Sequence, residues 1–290
     1  HNLMNKNNSI DVIIPVKERY KLLLNSLDSI ESQTLIPNNV WIVDDCSEEK
    51  IDNFKKYKFP ITLVRNAINK GPSYSCNLAA KKSNSEYIAI LETDDLWKTT
   101  KIEKQLNIAK QKKLDFVYCN YLINNKKNTQ KLSNDKDVIF SLLLKMWSCP
   151  NPSTFFFRRK AFLSLNGFDE SMIGTHDHDL WIRICQSNLK FDYVDEYLVE
   201  IENYNPEQMS RDYKTRIKSI THFCEKHKDL IIKIKNEKFF SEYKRELLSR
   251  ALIPGLKKVI KEKNIVGLLI ILKYLIFSKI FYRRIKQVLK

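Results

Sequence analysis

Glu92-Thr93-Asp94-Asp95 places three carboxylates within four residues, directly after the apolar run Tyr87-Ile88-Ala89-Ile90-Leu91. Like charges this close repel, and apolar surroundings solvate them poorly. Both effects raise carboxyl pKa values unless a cation sits between them. Oxygen ligands on a short loop suit Mg²⁺ or Mn²⁺, which take one or two carboxylates together with substrate phosphates. The same residues also suit an acidic turn with Asp94 or Asp95 capping the next helix. Two other acidic groups accompany this one: Asp44-Asp45 after Val40–Val43, and His176-Asp177-His178-Asp179 ahead of Leu180, Trp181, Ile182 and Ile184.

The flanking pattern says what carries these groups. Ile10–Val16 is an apolar, β-branched run interrupted by Pro15 and reads as a buried strand. Leu23, Leu24, Leu27 and Ile30 have helical spacing, and Val40–Val43 is a second strand. Glu48–Tyr57 is predicted to be a short helix, Ile61–Val64 a third strand, Gly71-Pro72 a turn and Ser73–Lys82 a helix. Tyr87–Leu91 is the fourth strand. Strands alternating with helices define an α/β, Rossmann-like parallel sheet, which binds ligands at its carboxyl strand ends. Asp44-Asp45 and Glu92–Asp95 both stand at such ends. Further on, the pattern predicts a helix over Lys101–Lys112 and a strand over Phe116–Tyr121. It then predicts an exposed loop or hairpin over 124–137, a strand at Phe155–Phe157 and a helix opening at Arg158–Lys160. A turn at Gly167–Glu170 precedes an amphipathic helix from His176.

At 290 residues the chain can bury a sizeable core. Its six cysteines (Cys46, Cys76, Cys119, Cys149, Cys185, Cys224) show no paired spacing, which argues for free thiols in a reducing compartment and against a zinc or disulfide frame. His1–Leu3 read as an expression remnant before Met4, residues 1–9 are expected to be disordered, and no secretion signal follows. The net charge of +16 is uneven. Residues 211–290 hold 22 Lys and Arg against 7 Asp and Glu, which is nearly the whole excess. A basic tail points to nucleic acid or an anionic membrane as partner.

In order along the chain, several segments resemble the family 2 inverting glycosyltransferases of GT-A fold. Ile13-Ile14-Pro15-Val16 is similar to the family's opening strand. Ser32-Gln33-Thr34 and Val43-Asp44-Asp45-Cys46-Ser47 match its S-x-Q-T and V-D-D-G-S segments. Asn69-Lys70-Gly71 through Asn77 matches N-x-G…N, and Glu92–Asp95 is similar to the metal-binding D-x-D-D. Gly167–Glu170 and Asp177–Arg183 resemble G-F-D-E and E-D-x-D-L-W-x-R. The likeness covers residues 10–185 and implies a GT-A catalytic domain over 10–210, followed by a basic helical extension over 211–290. It implies transfer of a sugar from a UDP-sugar donor to a glycan hydroxyl, with Mn²⁺ or Mg²⁺ neutralising the leaving diphosphate. Pro15, Val16, Asp44, Asp45, Gly71, Asn77, Glu92 and Asp94 would then bind the donor nucleotide, Asp94 and Asp95 the metal. Asp177 would be the base that inversion requires, although its position also suits a helix N-cap. His176, His178, Trp181, Asn205 and Arg211 are candidates for phosphate or acceptor contacts.

The sequence departs from the family at four places. Glu92 replaces an Asp, His176 a Glu, Cys76 an Arg, and Asn203-Tyr204-Asn205 stands where many members carry Arg and His. These changes keep a catalytically silent binding module among the readings. A nucleotidyltransferase would share the acidic rim, but it usually needs a Gly-rich loop after the first strand, and Lys17-Glu18-Arg19 has no glycine.

In the tail, a helix is predicted over Arg211–Lys228 and another over Glu237–Lys261, broken near Pro254-Gly255. Ile265–Tyr282 is the most apolar stretch, but Lys273 and Lys279 leave no uninterrupted run long enough to span a bilayer. With Arg283-Arg284 beyond, it reads as an interfacial helix on an anionic leaflet or as a helix packed on the catalytic domain. Nucleic acid is not the expected partner, since no binding motif accompanies the charge. The interfacial reading places the chain on the cytoplasmic face of a membrane with a lipid-linked glycan acceptor. The sequence carries no signal for oligomeric state.

Overall fold

The computed structural model describes residues 8–127, 132–145, 149–201 and 213–275. The chain divides into two compact units, one of residues 1–170 with 176–204, the other of residues 171–175 with 205–290.

The first unit is built on a sheet whose strands are β1 (Ile10–Val16), β2 (Asn39–Asp44), β3 (Ile61–Arg65), β4 (Tyr87–Ile90), β5 (Asp95–Trp97), β6 (Phe116–Ile123), β7 (Lys126–Lys127), β8 (Phe156–Arg158) and β9 (Phe191–Ile201). Their order is β3-β2-β1-β4-β8-β6-β9-β5, with β7 beside β6. β3, β2, β1 and β4 are parallel, as are β6 and β9. β8 runs antiparallel between β4 and β6, and β5 is antiparallel to β9.

The helices are α1 (Tyr20–Glu31), α2 (Pro72–Lys82), α3 (Lys101–Gln111), α4 (Lys136–Leu144), α5 (Arg159–Ser164) and α6 (His176–Gln186). Every residue of β1 and β4 is buried, which is why these strands read as continuous apolar runs. Leu23, Leu27 and Ile30 share one face of α1 and are fully buried with Val12, Ile14 and Ile42. Each such burial is worth about 1.5–3 kcal/mol. Gln33, just past α1, donates to the Lys98 carbonyl and accepts from the Ile102 amide, tying α1 to the start of α3.

Glu48–Tyr57 does not form the expected helix. It is an irregular strap pinned to α1, with Tyr20 bonded to the Asn53 carbonyl and its ring tilted 47° to Phe54, and Lys55 paired with Asp28 and Glu31. These long-range contacts outweigh the weak local preference. Two strands were not legible. β5 is three residues long, and β9 carries Asp192, Asp195, Glu196 and Glu200 among its apolar residues.

In the second unit, α7 (Tyr213–Ile234), α8 (Glu237–Lys261) and α9 (Ile265–Leu275) pack together. α8 continues through Pro254 and Gly255, correcting the expected break. An interior proline removes one hydrogen bond and kinks a helix, but need not end it where packing holds both sides. Leu252, Ile271 and Leu275 form its core with Tyr213, Ile217 and Tyr274. The opposite face of α9 leaves Ile265, Val266 and Leu269 more than 60% exposed. Among the described residues no helix is long and apolar enough to cross a membrane. Residues 1–9 are described only from Asn8, and Asn205, Arg211 and residues 276–290 lie outside the described residues.

Candidate active site

Parallel register brings the acidic strand ends to one rim. Val16 pairs with Asp44 across β1 and β2, and Ile13 pairs with Ile90 across β1 and β4. The acidic turn begins where β4 ends, and from it the chain crosses to β5 at the far end of the sheet order.

The rim is held by bonds among the predicted residues themselves. The Val16 carbonyl accepts the Asp45 amide at 2.8 Å. The Pro15 carbonyl accepts the Thr93 hydroxyl at 2.6 Å. Asp44 is buried, accepts the Ser47 amide and pairs with Arg65 at 2.8 Å. Asp45 accepts from the Asn66 side chain and from the Lys70 and Gly71 amides at 2.7–2.9 Å, drawing the 66–71 loop onto the rim. Gly71 has φ +85°, a left-handed value that favours glycine.

Asn77 is buried on α2. Its amide donates to the Phe168 carbonyl and to Glu170, and its oxygen accepts the Phe168 amide. Gly167 sits against it with φ +65°, and a Cβ there would lie 2.1 Å from Asn77 Oδ1. Asn77 is therefore committed to clamping the 167–170 turn.

The acidic turn is braced by a segment that sequence reasoning missed. Asn151 opens the 3-10 turn Pro152–Thr154 and donates to Glu92 Oε2 at 2.8 Å. Ser153 Oγ accepts the Glu92 amide and donates to Asp95 Oδ2 at 2.5 Å. The Asn151-Pro152 dipeptide was the available turn signal. Arg19 is a second missed residue: its guanidinium pairs with Asp94.

The carboxyls respond as their crowding requires. Burial first, then the charges of Asp94 and Asp177, push Glu92 up to about 7. Burial and Glu92 push Asp95 well above its usual range. Three crowded carboxylates with a single guanidinium beside them are what a hard divalent cation would neutralise, so the donor set fits Mg²⁺ or Mn²⁺. Glu92 and Asp94 are half-buried on the turn, while Asp95 is 1% exposed and engaged by Ser153.

Asp177 lies in the first turn of α6. That helix is anchored by the Asp179–Arg183 pair at 2.8 Å, by Arg183 donating to the Leu165 carbonyl, and by Trp181. Trp181 is 0% exposed and packs against Phe116, Tyr118, Phe155 and Phe191. Trp181, expected as a phosphate or acceptor contact, is thus packed into the core of this structure. His178 meets Asp177 through its Nδ1, at 3.1 Å from Oδ1, and through its backbone amide at 2.8 Å. Burial opposes the charge on Asp177, but His178 and His176 outweigh it and hold the carboxyl well below its usual range. The His176 ring stands edge-on to Phe168, and burial lowers its pKa.

An α/β sheet of this order, with acidic strand ends and an acidic helix start, defines the GT-A class. The chain belongs to glycosyl transferase family 2, whose profile matches residues 11–172. An uncharacterized glycosyltransferase of Haemophilus influenzae is 26% identical over 188 residues, covering 61% of this chain and 62% of that protein. Escherichia coli WfgD is named a UDP-Glc:alpha-D-GlcNAc-diphosphoundecaprenol beta-1,3-glucosyltransferase. It is 27% identical over 62% of this chain and 70% of its own length. The fold matches S. aureus TarS 1–349 in complex with UDP-GlcNAc at TM-score 0.55 and 14% identity, over 92% of this chain and 81% of that one.

Proposed function

We propose that the first unit is an inverting glycosyltransferase that moves a sugar from a UDP-sugar to a glycan hydroxyl. The observation that carries this reading is that one short segment touches both base and acidic turn. Cys149 Sγ lies 3.4 Å from Asp177 Oδ2, and Asn151, two residues on, donates to Glu92 Oε2 at 2.8 Å. WfgD is named for a UDP-sugar and a lipid-linked acceptor, and TarS was solved with UDP-GlcNAc, which supports the choice of donor.

In this reading Asp177 accepts the acceptor hydroxyl's proton as that oxygen attacks the anomeric carbon. The bond from that carbon to the diphosphate breaks on the opposite face, and UDP leaves. His178 orients the Asp177 carboxylate. Glu92 and Asp94, with Asp95 behind them, would hold Mg²⁺ or Mn²⁺, which supplies charge neutralisation to the diphosphate when bound. Pro15, Val16, Asp44, Asp45 and Gly71 form the nucleotide rim, and Arg19 adds a cation beside it.

The second unit is assigned to an anionic membrane surface, through its basic charge and the exposed Ile265, Val266 and Leu269. That location, on the cytoplasmic face, would suit a lipid-linked acceptor such as the one for which WfgD is named.

Thermal-shift screening of nucleotide diphosphate sugars with and without Mn²⁺ tests the catalytic reading. A UDP-sugar at a hundred times its Kd should raise Tm by about 5–10 °C, and only with metal. No metal-dependent stabilisation by any UDP-sugar would overturn it.

A further inference from the structure

A thiol, a carboxylate and an imidazole converge at the start of α6. Cys149 Sγ lies 3.4 Å from Asp177 Oδ2 and 3.5 Å from His178 Nδ1, and His178 Nδ1 lies 3.1 Å from Asp177 Oδ1. One ligand atom from each residue falls within 4.8 Å of the others, and among the described residues no other trio of His, Cys, Asp or Glu does so. The Glu92–Asp94–Asp95 turn does not meet that condition, although it carries more charge.

The two sulfur distances, 3.4 and 3.5 Å, equal the edges of a coordination polyhedron, whereas the 3.1 Å contact of His178 Nδ1 is to the other Asp177 oxygen and is a hydrogen bond that binding must open. A tetrahedral ion with Zn–S of about 2.3 Å and Zn–N or Zn–O of about 2.0–2.1 Å has ligand–ligand edges of roughly 3.3–3.6 Å. Three protein ligands of this kind leave one position for water. The donor set differs in kind from the acidic turn. Thiolate and imidazole select Zn²⁺ and its borderline neighbours, whereas carboxylates with phosphate oxygens select Mg²⁺ and Mn²⁺. Cys149 is 5% exposed, while the Asp177 and His178 side chains are 23% and 31% exposed, so an ion can reach the trio from their side.

We propose that Cys149, Asp177 and His178 form a Zn²⁺-type site, separate from the acidic turn, whose occupancy removes Asp177 from catalysis. Binding displaces the Cys149 thiol proton, and the proton on His178 Nδ1 must move to Nε2 or leave as well, so at least one proton goes to solvent per ion bound and affinity rises with pH. A bound ion takes the lone pair with which Asp177 would accept the acceptor's proton. This inhibitory consequence rests on Asp177 being the base, whereas the binding itself does not.

The test uses the full chain with Co²⁺ as an optical stand-in for Zn²⁺. One equivalent of Co²⁺ should give a thiolate-to-cobalt charge-transfer band with tetrahedral d–d bands, and excess Mg²⁺ should leave them unchanged. Cys149→Ser should abolish the charge-transfer band, His178→Ala should weaken binding about tenfold or more, and Cys185→Ser should keep the wild-type spectrum. No thiolate band at one equivalent, or a band that survives Cys149→Ser, overturns the site. In the second arm, Zn²⁺ should lower sugar transfer under saturating Mg²⁺, and the ratio of rates with and without Zn²⁺ should return to near one in Cys149→Ser. A normal cobalt spectrum without inhibition overturns the blocking role. A normal spectrum on a protein that transfers no sugar overturns the glycosyltransferase reading and leaves the site standing.

Discussion

The Arg19 guanidinium and the Asp94 carboxylate form an ion pair across the mouth of the acidic turn. The two residues come from the segment after β1 and the turn after β4, and only the parallel pairing of those strands makes them neighbours. Arg19 occupies a carboxylate that is assigned here to a divalent cation, so guanidinium and metal compete for it. The side chains are 45% and 28% exposed, and such a pair is worth at most about 1 kcal/mol. Arg19→Gln should therefore tighten Mn²⁺ binding to the donor-free protein by up to about fivefold, measured by calorimetry. It should also raise KM for the donor, because the cation beside the diphosphate is lost.

Asp177→Asn keeps the shape of the side chain and removes its basicity. Sugar transfer should fall by about 10²–10⁴ in kcat. The Mn²⁺-dependent thermal shift with UDP should persist, because the acidic turn is untouched. Unchanged turnover would remove Asp177 from the base role.

Glu92 makes stability depend on pH in a defined direction. Its folded pKa of about 7 lies above the ordinary 4.5. Between these values the folded chain keeps a proton that the unfolded chain has released, so stability falls as pH rises through that window. The cost is absent below pH 4.5 and complete above pH 7. Glu92→Gln should thus raise the metal-free Tm at pH 8, by about 2–4 °C for each kcal/mol relieved, and leave it unchanged near pH 4.5. Saturating Mn²⁺ should remove the advantage of the variant, since the cation relieves the same repulsion.

Asn77→Ala leaves the buried Phe168 amide and carbonyl without their partners. Each orphaned group costs about 1–3 kcal/mol. Thermal unfolding should show a drop of several degrees, with the donor's KM nearly unchanged in the fraction that remains folded. A large KM effect without loss of stability would return Asn77 to the nucleotide site.

Leu269 tests the membrane assignment. It is 63% exposed, so Leu269→Glu should leave the second unit folded by circular dichroism. Burying a leucine is worth about 1.5–3 kcal/mol, so binding to vesicles rich in anionic lipid should weaken about tenfold or more. Unchanged vesicle binding would sink the interfacial role of this face.

Much of the first half of the fold was legible because β1 and β4 are buried on both faces and α1 carries one apolar stripe. Ile10–Val16 and Leu23–Ile30 state their burial in their own composition. β5 and β9 were not legible. Three residues carry no period, and the acidic residues of β9 mask the apolar ones. The Glu48–Tyr57 strap misled for a related reason. Ile51, Phe54 and Tyr57 have helical spacing, but the surface that captures the strap belongs to α1.

The candidate site divides in the same way. The sequence by itself determined the carboxylates at the ends of β2 and β4, the acidic start of α6 and the order of segments that marks the family. Residue type and strand-end position are local properties, which survive without coordinates. Only the tertiary structure decided that Asn151 and Ser153 brace the acidic turn, that Arg19 meets Asp94, that Trp181 belongs to the core and that Cys149 stands beside Asp177 and His178. Those relationships join residues tens of positions apart. Chain crossing and sheet register set them, and no spacing along the sequence encodes either.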